Sequence, residues 1–147
     1  MKRIIFTALF CLLSSFAYAA EPIQDLDAFE VKVKSCLLKM TKDSRCFQSI
    51  LLKQVVPGNE EQLLPSAKQL DEFSLKWLDK HQVFAIHPVA TKKTGDIFQT
   101  NTYLIEDDTG ALMIFTYSVI KRLGKWYVSY FSVNSTDEAV GALLKGK

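Results

Sequence analysis

The spacing of apolar residues changes once along the chain, at His81, and that change limits the fold more than anything else in the sequence. Before it, apolar side chains recur every three to four positions, which suits one face of a helix. After it they recur every second position, in four runs rich in β-branched and aromatic residues at 82–91, 97–106, 111–121 and 125–133. The turns between these runs carry Lys93-Thr94-Gly95-Asp96, Asp107-Asp108-Thr109-Gly110 and Arg122-Leu123-Gly124. Connections this short join antiparallel neighbours, since parallel strands need a crossover of a dozen or more residues. The expectation is an α+β fold: N-terminal helices, a four-stranded antiparallel meander, and a short C-terminal helix.

Within the helical half, Leu26, Phe29, Val33 and Leu37 mark a first helix over 23–40. Asp43 or Ser44 is placed to cap a second, carrying Phe47, Ile50, Leu51 and Gln54 and stopped by Pro57-Gly58. A third is expected over 66–80, entered after Pro65, burying Ala67, Leu70, Phe73 or Ser74, Trp77 and Leu78. Its opposite face, with Lys68, Asp71, Glu72, Lys76 and Asp79, reads as solvated. Ser135-Thr136-Asp137-Glu138 has capping-box spacing and opens the final helix, through Leu144.

The first 19 residues read as an export leader. Lys2 and Arg3 form the positive start, 4–13 the apolar run, and Ala17-Tyr18-Ala19 the small-residue site for cleavage before Ala20. Residues 4–20 carry no charge and approach the length needed to span a bilayer, so an uncleaved anchor is the alternative. Cys11 follows Phe10 rather than small residues, which argues against lipid attachment. The reading is a bacterial periplasmic or secreted domain over 20–147, with no stable membrane anchor after cleavage. The leader also carries the excess charge: the whole chain has 18 basic and 16 acidic residues, with every acid at Glu21 or later. Without Lys2 and Arg3 the two signs balance, which removes the electrostatic case for nucleic acid.

Cleavage leaves Cys36 and Cys46 as the remaining cysteines. An oxidising compartment favours a structural disulfide between them, stapling a helical hairpin, with two buried thiols as the alternative. Nine intervening residues and no C-x-x-C motif argue against a redox role.

With Leu123-Gly124 as a two-residue turn, Val119 pairs with Val128 and Tyr117 with Tyr130. One face then holds Met113, Phe115, Tyr117, Val119, Trp126, Val128 and Tyr130, and should pack on the helices. The other holds Leu112, Ile114, Thr116, Ser118, Ile120, Tyr127, Ser129, Phe131 and Val133, an uncharged set that needs cover from a second subunit, another protein or the chain's own helices. Tyr103, Tyr117, Trp126 and Tyr130 offer apolar bodies with polar tips to orient a small apolar ligand, or else form plain core.

Catalytic chemistry is not legible. The central strands hold no Asp, Glu or His, and Ser118 and Ser129 have no recognisable base. His81 and His87 lie too far apart on one strand to share a metal, six residues spanning roughly 20 Å. No phosphate-binding glycine loop is present, and no cofactor is expected.

Helices followed by a long-stranded meander, with Gly124-Lys125-Trp126-Tyr127-Val128 opening the last strand, resemble the NTF2-like and cystatin-like α+β layouts. The resemblance implies a curved sheet around a pocket and a homodimer through the outer sheet face. Some NTF2-like members are enzymes using acids or histidines inside the cone, but no catalytic residue carries over here. Three helices before any strand also depart from the usual order. The resulting expectation is a non-catalytic domain that binds a protein partner or a small apolar ligand. The alternative is a pocket enzyme of the isomerase or hydratase type, drawing on His87 and the nearby tyrosines.

Overall fold

The computed structural model describes residues 20–41 and 44–146; the expected leader over 1–19 and the expected cap at Asp43 lie outside the described residues. Helix α1 (Leu26–Leu38) begins where the Asp25 carboxylate accepts from the Asp27 and Ala28 N–H groups, at 2.8 and 3.1 Å. It buries Phe29, Val33 and Leu37, a four-residue repeat along one face. Ser44 closes the turn beyond it: its hydroxyl accepts from Thr41 N–H at 2.9 Å and donates to the Lys39 carbonyl at 3.2 Å. Cys36 and Cys46 are joined in a disulfide, with their Cα atoms 5.8 Å apart.

The expected second helix is instead a π turn (Phe47–Leu51) running into a single 3₁₀ turn (Leu52–Gln54). Both ends are held by the surrounding structure. Asp71 accepts from the Phe47 and Gln48 N–H groups and from the Gln48 side-chain amide, at 3.0 to 3.1 Å. At the exit, Val56 N–H donates to the Val128 carbonyl at 3.1 Å. The buried Asp71 thus corrects the expectation of a solvated face there: it caps the neighbouring segment from within helix α2.

Helix α2 (Glu60–Leu78) starts six residues earlier than expected, with Pro65 inside it. A proline in a helix removes one N–H donor, here the partner of the Glu61 carbonyl, but Glu61 and Pro65 are exposed and water can serve that oxygen. Glu60 and Glu61 suit the positive end of the helix, and Glu60 also accepts from Gly58 N–H at 2.7 Å. The buried residues are Ala67, Asp71, Ser74 and Leu78, so Ser74 rather than Phe73 faces inward.

Strands β1 (Val83–Thr94), β2 (Phe98–Asp107), β3 (Leu112–Arg122) and β4 (Lys125–Asn134) form one antiparallel sheet in the order β1-β2-β3-β4. Helix α3 (Asp137–Leu144) follows, capped by Thr136 rather than Ser135. The expected meander is therefore present, with strand ends shifted by up to three residues. Leu123 and Gly124 both take positive φ, 49° and 77°, as a two-residue hairpin turn requires.

Val119 pairs with Val128 as expected, but the register then slips, and Ser118 pairs with Tyr130. Ser129 is the extra residue of a bulge in β4, and everything beyond it changes face. Phe131 joins the core opposite Tyr117, Val133 packs beside it, and Tyr130 turns outward, 53% exposed. The core lies between the helices and the inner face of the sheet: Phe29 meets Tyr117 edge-on, and Phe47 does the same to Phe115.

The outer face carries hydroxyls in ranks, Thr100 with Ser118 at 2.8 Å and Thr102 with Thr116 at 3.4 Å. Helix α3 packs against β3, and its buried Val140 lies apart from the main core, as does the outer-face Leu104. The two sheet edges differ. Bridges from Ile23 to Trp126 and from Val55 to Val128 cover the start of β4. Strand β1 has no further strand beside it among the described residues and is interrupted by register slips that leave Phe84 and Val89 unpaired, 70% and 42% exposed.

Candidate functional site

Alternation along β2 puts Gln99, Asn101 and Tyr103 on the inner face, and β3 adds Tyr117, Val119 and Lys121 beside them. Helix α1 crosses above. The Tyr103 and Tyr117 rings stack at 6.1 Å with an 8° interplanar angle, and both are buried. From α1, Lys34 pairs with Glu30 at 2.7 Å and holds its ammonium 5.3 Å from the Tyr103 ring centre.

These contacts set an ion pair and two phenols beside one another at the inner face of the sheet. Burial pushes the Tyr103 phenol far up from its usual value, reinforced by the neighbouring Tyr117 phenol and Glu30 carboxylate. Burial also pushes Tyr117 up, to about 12, against the opposing effect of hydrogen bonds from Tyr103 and Asn101. Burial alone would raise Glu30, but its bonds to Lys34 and Tyr103 outweigh that and hold it below the usual carboxylate value. At neutral pH both phenols are therefore protonated donors and Glu30 is ionised. Asn101 stands next on the same face, opposite Tyr117, and its carbonyl oxygen accepts from Thr91 Oγ1 and from Gln99 Nε2, each at 3.0 Å.

Beyond Gln99 the inner face opens. A groove of about 350 Å³ lies between the start of α1 and the hairpin end of the sheet, lined by Leu26, Lys93, Phe98, Gln99, Lys121 and Trp126, with Gly95 and Asp96 at the turn. Trp126 is half-buried there, with the Lys121 ammonium 5.9 Å from its ring centre. The arrangement can offer an apolar wall, cationic and amide donors, and one amide acceptor. A larger groove of about 1160 Å³ runs between the π turn and α2, but charged groups of both signs, including Arg45, Lys53, Glu60 and Glu61, wall it, and no aromatic ring lines it.

The structure brings together three of the five candidate ligand-binding residues on one face. Tyr103 and Tyr117 touch, and Trp126 stands further along the same face at the groove. Tyr130 is moved to the outer face by the Ser129 bulge, a correction to its expected place among them. His87 also lies on the outer face, where Nε2 sits 2.8 Å from Glu106 Oε2, across the sheet from the phenols. His81 is paired separately, 2.9 Å from Asp108. Among the described residues no cluster of three metal-ligating side chains occurs.

Sequence reasoning missed Glu30, Lys34, Asn101, Gln99, Lys93 and Lys121. The signal for the first pair was their four-residue spacing on a helix. For Gln99 and Asn101 it was a polar stretch continuing the alternation that places Tyr103 inside. No family model matches the chain, and no curated protein sequence matches it either, so the site is defined by its own geometry.

Proposed function

We propose that the chain is a non-catalytic periplasmic or secreted domain that binds a small, apolar-bodied ligand in the groove between α1 and the hairpin end of the sheet. One observation carries this reading: Trp126 stays half-buried at an open groove although it stands on the face that elsewhere packs into the core. Large apolar rings left at the mouth of a concavity, beside a few polar groups, are the usual composition of a small-molecule site. The export leader, the disulfide and the absence of a helix long and apolar enough to cross a membrane, among the described residues, all suit that setting. A helix laid across a sheet beside a groove also suits the proposed NTF2-like kinship.

A native mass spectrum of the protein isolated from its own host is the test. The expected result is a mature chain beginning at Ala20 that carries an added small mass, released by Trp126→Ala. A bare chain in wild type and variant alike would remove the ligand reading.

A second observation favours a protein partner on the opposite side. Thr102, Thr116, Ile120 and Ser132 are uncharged and remain partly exposed on the outer face, where α3 does not bury them. We propose that a second copy or an envelope protein covers them. A homodimer by light scattering that Thr116→Lys dissociates would support the first; a monomer that copurifies with no polypeptide would sink both.

A further inference from the structure

The lining of the groove selects among small ligands by charge. Lys93 and Gln99 are cross-strand partners, as are Lys121 and Trp126, so the two lysines line the groove from β1 and β3, on either side of β2. Lys93 makes no ion pair among the described residues. Lys121 has only Asp96, 3.9 Å away on a side chain that is 88% exposed, too long for a hydrogen bond. Asp96 is the one acid on the lining, so the groove presents an excess of positive charge beside a hydrocarbon wall. Gln99 commits one of its two amide N–H groups to Asn101, which leaves the other N–H and the carbonyl oxygen for a ligand. The charged donors able to hold an anion are the two lysines, with the second Gln99 N–H beside them. Leu26 and Trp126 supply the apolar surface, and about 350 Å³ lies at the small end of ligand sites.

We infer that the groove takes a small monocarboxylate with an aromatic or short hydrocarbon body, its carboxylate between Lys93 and Lys121 and its body on Leu26 and Trp126. This rests on the proposed ligand-binding reading and narrows it to a chemical class. A dicarboxylate would meet Asp96 with its second charge. A neutral amide of the same shape keeps the apolar contacts but loses both charge-assisted bonds.

The test is titration of the mature, disulfide-bonded chain with 4-phenylbutyrate, octanoate and 4-phenylbutyramide, followed by amide and indole NMR shifts. The expected result is that both acids shift the Trp126 indole and the backbone of Lys93, Gln99 and Lys121, and bind at least tenfold tighter than the amide. Lys93→Gln, at an exposed position, should weaken the acids at least threefold and leave the amide unchanged; Lys121→Gln should do the same with an unaltered spectrum elsewhere. Equal binding of acid and amide overturns the carboxylate assignment while leaving the groove as a ligand site. Shifts confined to other surfaces, or no shifts with any of the three, overturn the assignment and the ligand-binding reading together.

Discussion

Leu123 is the residue most at odds with its own backbone. It sits at φ 49° with its side chain wholly in solvent, so it has the crowding of a left-handed conformation and no packing to offset it. The hairpin imposes that conformation because a two-residue turn matches the twist of its strands only with positive φ at both positions. Leu123→Asn should therefore raise the melting temperature by roughly 2–5 °C without altering the register. A thermal scan showing no gain would mean that the turn bears less strain than its geometry implies. Ser129 shows the opposite case, a residue whose consequence no sequence pattern announces. The alternation through Trp126, Val128 and Tyr130 is unbroken in the sequence, yet one unpaired residue sends Tyr130 outward and Phe131 inward.

At the scale of elements, the strands and the first and last helices were legible, while the second helix and the start of α2 were not, for one physical reason. A strand's period follows directly from which side chains need burial, whereas a helix end depends on who satisfies its free backbone groups. Pro65 reads as a start because it lacks a donor, but an exposed carbonyl one turn back tolerates that loss. Asp71 reads as solvated because it is charged, but its partners lie 23 and 24 residues away in sequence. Asp107 does comparable work in the β2–β3 turn, where one carboxylate oxygen accepts from the Thr109 N–H and hydroxyl and from Ala111 N–H, at 2.7 to 2.9 Å. Burial pushes its pKa up, but those bonds, with His81 nearby, prevail and hold it below the usual value. A carboxyl whose pKa is lower folded than unfolded contributes its full stabilisation above the unfolded value near 3.9 and loses it as pH falls through the folded one. Asp107→Asn should cost about 1 kcal/mol near neutral pH, and the difference should shrink as acid protonates the wild-type group. Urea unfolding at several pH values checks this; a difference independent of pH would assign the loss to shape rather than charge.

For the molecule as a whole, the disulfide holds together the part of the fold with the least regular structure. It joins the end of α1 to the residue before the π turn, across a sequence separation of 10. Closing so short a loop stabilises by about 2–3 kcal/mol, so reduction should lower the urea midpoint correspondingly while the sheet persists. Loss of the sheet on reduction, seen in the far-UV spectrum, would make the bridge a condition of folding rather than an increment to it. The candidate site was half legible for a related reason: alternation assigns Tyr103, Tyr117 and Trp126 to one face, but only the crossing of α1 over the sheet brings Glu30 and Lys34 to the phenols. The two flanks of the sheet have a separate consequence. Ile23 and Val55 occupy one, while Pro88, Lys92, Lys93 and two slips in register break up the other. Covering the start of β4 and breaking β1 shortens the row of free donors and acceptors on which a further chain could template itself. Among the described residues, a growing fibre would meet only short and broken stretches of edge at which to start.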